Sequence, residues 1–244
     1  METDKYFIVH KDNKIFYTLV KSRRKTIGIR IEKNGEVRVS APIKLGRKHI
    51  EDVIREKAGW IIKKVDEVKK KNSNIVQREY VNGEKLLYLG KEYTLEVVER
   101  SSNRAEVSMQ DDKIIVYITH GLLGEQRKQT IKKILEKWYR KRFSEIVNEK
   151  TEQYSVKLNV TPRKVFIKDQ KTRWGSCSVK GNVNFNWRLV MAPVEIIDYV
   201  VIHELCHLKV MNHSKTFWAL VESMLPSFKD NRRWLKNSGH RLVL

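Results

Sequence analysis

Cysteine, proline and glycine are all scarce in this 244-residue chain, which has two Cys, four Pro and 11 Gly. Two cysteines, Cys177 and Cys206, make no disulfide framework, and free thiols fit a reducing compartment. So little glycine and proline excludes collagen-like and low-complexity chain. Long hydrophobic runs are absent too. Apolar pieces such as Ile114 to Ile118 and Tyr199 to Ile202 fall far short of the roughly 20 residues that a bilayer-spanning helix needs. The opening Met1-Glu2-Thr3-Asp4-Lys5 is polar, with no apolar signal segment behind it. These absences predict a cytoplasmic protein with no membrane partner.

Acidic residues are the remaining shortage. Fifty Lys and Arg stand against 29 Asp and Glu, a formal charge of +21. A charge of that size favours polyanionic partners, nucleic acid among them. Lysine is spread along the whole chain, so a merely solvated basic surface is the competing reading.

What is present is an ordinary globular pattern, 41% hydrophobic and 32% charged. Residues 5 to 40 read as strands, with alternation at Ile27, Ile29 and Ile31 and a hairpin signal at Asn34-Gly35. Residues 46 to 71 switch to helical spacing through Ile50, Val53, Ile54, Ala58, Ile61, Ile62 and Val65. A polar linker follows at Lys69 to Asn74. Short strands return over 85–89, 93–98 and 113–118. A long basic helix is expected from about Gly124 to Gln153. Its Lys and Arg outnumber acids nine to four over residues 124 to 150, which suits a solvated face or a groove lining. Strands follow around Val165–Ile167 and Val183–Trp187. Helices are expected from Pro193 to about Met211 and from Ser214 to Leu225. No fixed-period repeat is visible. The fold class expected is α+β: a strand-rich N-terminal region with one helix over 1–120, then a helix-rich domain with a small edge sheet over 121–244.

The chemistry is concentrated in His203-Glu204-Leu205-Cys206-His207 and the nearby His213. Histidines at i and i+4 project from one helix face and can share one metal ion. Three protein ligands leave a zinc position open for water, whose pKa the ion lowers to about 7. Glu204, beside the first histidine, is placed to take that proton. Without a metal, these ionisable groups on an otherwise apolar helix would be costly to bury. Asn212 suits a left-handed residue that ends the helix and returns His213 toward the metal. Glu222 is a rival ligand. Cys206 is turned about 100° away from His207 on the helix and reads as a small buried thiol.

Upstream, Arg173-Trp174-Gly175-Ser176 offers a guanidinium fork for an anion and a glycine that permits close backbone approach. This segment or its hairpin partner is expected to act as an edge strand that holds extended peptide by main-chain bonds. Arg173 would stabilise negative charge developing in the reaction. Trp174, Gly175, Ser176 and Arg188 would contact substrate, with Asn186 able to assist.

Three stretches together carry a family resemblance: HELCHLKVMNHSKTFW at 203–218, TRWGSCS at 172–178 and NWRLVMAP at 186–193. The chain resembles the YgjP-like metallopeptidases, the DUF45 or SprT/WSS-like zincin group, strongly over about 165–225 and weakly in the N-terminal half. The histidine spacing also matches metzincins, but Val210 stands where those enzymes carry glycine. The resemblance implies a zincin-like catalytic part, one Zn2+ held by His203, His207 and His213, and Glu204 as general base. It implies a metallopeptidase acting on polypeptide. Two alternatives follow from it: a metal-dependent nucleoside triphosphate pyrophosphohydrolase acting on nucleotides, and a DNA-associated protease or DNA-binding protein.

Overall fold

A computed structural model describes residues 4–32, 34–73, 78–101 and 106–244. The chain divides into two compact units, 1–76 and 77–244. In the first, β1 (Asp4–His10), β2 (Asn13–Ser22), β3 (Gly28–Ile31) and β4 (Val37–Pro42) form a sheet of order β1-β2-β4-β3. Helices α1 (Arg47–Glu56) and α2 (Ala58–Ser73) follow. The alternation is used as expected. Ile15, Tyr17, Leu19, Val37 and Val39 point into a core with Ile50, Ile54, Ala58 and Ile61. The single helix expected over 46–71 is two, broken at Lys57, and the end of the expected linker lies outside the described residues.

The second unit repeats that topology once. Strands β5 (Lys85–Tyr88), β6 (Lys91–Arg100), β7 (Glu106–Gln110) and β8 (Lys113–Thr119) form a sheet of order β5-β6-β8-β7. In both sheets two hairpins meet through one parallel pair, β2 with β4 and β6 with β8. A helix follows each time, here α3 (Gly124–Leu158). No repeat is visible in the sequence, because only the alternation of buried positions is shared, not the side chains.

Three short strands come next: β9 (Lys164–Lys168), β10 (Gly175–Cys177) and β11 (Asn182–Asn186), in the order β10-β11-β9. A 3-10 turn over Trp187–Met191 leads into α4 (Val194–Cys206), α5 (Lys215–Met224) and α6 (Phe228–Ser238). The α+β class therefore holds. Among the described residues, no helix is long and apolar enough to cross a membrane.

The boundary expected near residue 120 does not coincide with the division into units. Leu86, Leu95, Ile114 and Val116 of the second sheet share one core with Tyr139 and Phe143 of α3 and with Ile197 and Val201 of α4. Leu89 N–H donates to the Val190 carbonyl, and Gly90, at φ +80°, lies where a Cβ would come within 2.9 Å of Pro193. The β5–β6 turn is thus docked directly on the entrance to α4.

Candidate metal centre

Helix α4 is apolar on nearly all sides. Ile196, Ile197, Val200, Val201, Ile202 and Leu205 are buried, and so is Glu204. The helix is therefore fixed by packing, and the imidazoles of His203 and His207 emerge one turn apart on a set face. It ends at Cys206, five residues before the Met211 expected. Amides of Leu208, Lys209 and Val210 close the turn onto Leu205 and Cys206 carbonyls. Asn212 is not left-handed, which corrects that expectation: its Oδ1 accepts from Ser214 N–H at 3.3 Å. Ser214 then caps α5 by accepting from Phe217 N–H. His213 is brought back by this pair of side-chain turns.

The three histidines converge. One ligand atom from each lies within 4.8 Å of the others, and Nε2 of His203 and Nε2 of His213 are 3.1 Å apart. Nitrogens held at about 2.0–2.1 Å by one tetrahedral ion would stand roughly 3.4 Å apart, so the spacing suits two ligands of one ion. His207 Nδ1 lies 3.1 Å from the Val210 carbonyl. Donation to that carbonyl fixes the tautomer and leaves Nε2 as a lone-pair donor. Burial, helped by the neighbouring imidazoles and Arg232, pushes His203 down to about 3, so the ring is neutral. Burial also lowers His207. Phe217 stacks on His207 at 4.4 Å between centroids, and Trp218 stacks on His213 at 5.5 Å. This donor set fits a divalent cation with a position left open.

Glu204 is the second component. Burial raises its carboxyl to about 8, opposed by the charge of Arg173. Strand β10 runs against it without room for a side chain. A Cβ at Gly175 would stand 2.5 Å from Glu204 Oε1 and 2.6 Å from its Cγ. The glycine is required by that approach. Asn186 secures the approach to β10, with Nδ2 donating to the carbonyls of Gln170 at 2.7 Å and Arg173 at 3.3 Å.

Strand β10 is an edge of its sheet, whereas its partner β11 lies in the middle. Of the two segments expected to hold substrate, only β10 has a free edge among the described strands. Asn186 N–H bonds to the Trp174 carbonyl, and Ser178 N–H bonds to the Asn182 carbonyl. Antiparallel alternation therefore turns the N–H and C=O of Gly175 and Cys177 toward the open edge.

A cleft of about 300 Å3 opens beside His203 and Glu204, lined also by Trp174, Gly175, Tyr199, Arg232 and Lys236. Trp174 and Gly175 therefore line the cleft. Ser176 instead serves the hairpin, its Oγ 3.2 Å from Asn184 Nδ2. Arg188 is not in the cleft. Its guanidinium pairs with Asp169 and lies over the Trp187 ring. Glu222 pairs with Lys229 and stands outside the histidine cluster. Cys206 is fully buried.

Sequence reasoning misses Tyr199 and Arg232. Tyr199 was readable, because it stands one turn before His203 on the ligand face. Arg232 comes from α6, which no motif marks. Asn231 ties that helix to α4 by donating to the Glu195 carbonyl at 3.3 Å, and Arg232 itself lies over the Trp218 ring.

The profile of the YgjP-like metallopeptidase domain matches residues 25–238, and the chain belongs to that family. It is accordingly a metal-dependent hydrolase, and the family implies a bound metal ion. No curated protein matches the chain. Two solved structures are similar in part. The metallopeptidase zymogen abylysin of Pyrococcus abyssi is 27% identical over 40% of this chain and 99% of its own, with TM-score 0.36. The zymogen jannalysin of Methanocaldococcus jannaschii is 24% identical over 39% of this chain and 94% of its own, with TM-score 0.33.

Proposed function

We propose that the chain is a zinc peptidase in which His203, His207 and His213 hold the ion and Glu204 is the general base. The observation that carries this is the convergence of three imidazoles beside a buried carboxyl group and a free strand edge. When bound, zinc supplies Lewis acidity toward the scissile carbonyl and a water of lowered pKa. Glu204 would accept a proton from the attacking water and pass it to the leaving amine. The ion's positive charge favours the carboxylate form of Glu204, which burial alone disfavours. Strand β10 aligns the substrate by bonds from Gly175 and Cys177, and Trp174 closes the cleft wall. Arg232 lines the cleft and Arg173 brings positive charge near Glu204, where they would stabilise oxyanion charge or a substrate carboxylate.

The test pairs metal analysis with product analysis. Glu204→Ala is expected to keep the metal and lose cleavage of unfolded polypeptide, read by mass spectrometry. His203→Ala and His207→Ala are expected to lose both. Full turnover by Glu204→Ala would overturn the assignment. Hydrolysis of a nucleoside triphosphate in place of polypeptide would overturn the peptidase reading.

A further inference from the structure

The sheet of the first unit is covered by α1 and α2 on one face, and its other face is not an ordinary solvated surface. Phe7 and Phe16 sit directly opposite each other on β1 and β2, with ring centroids 5.8 Å apart. They are 51% and 66% exposed, although they lie in mid-strand. One row along, Lys5 stands opposite Thr18, Thr18 opposite Arg38 and Arg38 opposite Arg30, so three cations share one line across four strands. Lys14 lies over the Phe7 ring. None of these four cations pairs with a carboxylate among the described residues, although Glu36 and Glu32 continue the ring row beyond Phe16. Like charges directly opposite each other destabilise a sheet, and rings left this exposed gain only part of what burial would give them.

The repeated sheet supplies an internal control. At the register of Phe7 and Phe16 it carries Lys85 and Thr94, hydrogen-bonded to each other. At the register of Thr18, Arg38 and Arg30 it carries Glu96, Ile115 and Ser108. The topology therefore demands neither the rings nor the cations.

We propose that this face of the first sheet binds single-stranded nucleic acid, with bases stacked on Phe7 and Phe16 and phosphates along Lys5, Arg38 and Arg30. Successive same-face residues on a strand are roughly 7 Å apart, a spacing that lets a base lie on one row while its phosphate meets the next. Stacking on rings needs unpaired bases, and a four-stranded sheet is too broad for the major groove, so duplex is disfavoured. A lipid surface fits less well. The cations occupy the register row next to the rings on the same face, so immersing the rings would bring charge with them.

The experiment measures binding of the full chain to a short fluorescent oligothymidylate by anisotropy, beside a duplex of equal length and phosphatidylserine vesicles. Preference for the single strand is expected, and F7A/F16A should weaken it by about tenfold or more. R30Q/R38Q should flatten the salt dependence by about one unit of slope per lost phosphate contact. Circular dichroism melts check that both double variants fold, and the arginine pair stands in if the phenylalanine pair does not. Equal affinity for duplex, or F7A/F16A binding like the parent, would overturn the proposal in favour of general charge attraction. Vesicle binding lost in F7A/F16A while oligonucleotide binding persists would overturn it in favour of a lipid surface.

Discussion

At the scale of single residues, the centre depends on a side chain that is missing. Gly175 lets β10 approach Glu204 to within what would be 2.5 Å of a Cβ, and the carboxylate is held in place by that contact and by burial. Gly175→Ala is expected to push Glu204 aside. Turnover should fall by about two orders of magnitude, on the scale of a lost general base, while metal content stays at that of the parent. Glu204 also makes a pH prediction for the metal-free protein. Its folded carboxyl titrates near 8, well above the unfolded value, so folding favours the protonated form. The stability this confers is complete below the unfolded pKa and is lost as pH rises toward 8. His203, held near 3, works in the opposite sense at lower pH, adding stability as pH rises to about 6.5. Between pH 6.5 and 8 only the carboxyl slope remains. Thermal melts of metal-free protein should fall across that interval, and Glu204→Gln should abolish the fall.

Among elements, the decisive relation is between α4 and the short sheet beside it. Asn186 is 3% exposed and ties the segment before β10 to the end of β11 through both of its Nδ2 bonds and its own amide. Removing it leaves the carbonyls of Gln170 and Arg173 without that donor. Asn186→Ala is expected to destabilise the fold by about 1–3 kcal/mol in denaturant unfolding. It should raise KM for peptides more than it lowers kcat, because β10 aligns the substrate. The segment was legible at this scale only in part. Glycine beside Trp174 signalled close approach, but the choice between β10 and β11 as the free edge required the strand order. Arg188 shows the same limit. Its sequence position beside a strand suggested a substrate contact, yet Asp169 claims it from nineteen residues away.

For the whole molecule, the proposed ligation by residues of α4 and the turn before α5 would couple metal to the stability of the second unit. Anything that binds only the folded state stabilises it, by about 4 kcal/mol when free metal is a thousandfold above its Kd. In a protein of this size, that corresponds to roughly 8–16 °C. A chelator should therefore lower the melting temperature by about ten degrees in the parent. The same chelator should leave His207→Ala unchanged, since that variant has no site to empty. The division into units is also a whole-molecule property. Composition placed a boundary near residue 120, where strands give way to helices. The core ignores that change, because the second sheet is buried against α3 and α4.

Local pattern alone determined the shared helix face of His203 and His207, the neighbouring carboxyl group, the apolar character of α4 and the alternation of the first sheet. Each depends on contacts at fixed short separation along a helix or strand, where 3.6-residue and two-residue periods place side chains without reference to the rest of the fold. Tertiary structure alone decided that Gly175 meets Glu204, that Arg232 of α6 faces the cleft, that the second sheet shares a core with α3 and α4, and that the two sheets repeat one topology. Those relations join segments far apart in sequence. They are set by which apolar surfaces pack together, and a single sequence does not display that choice.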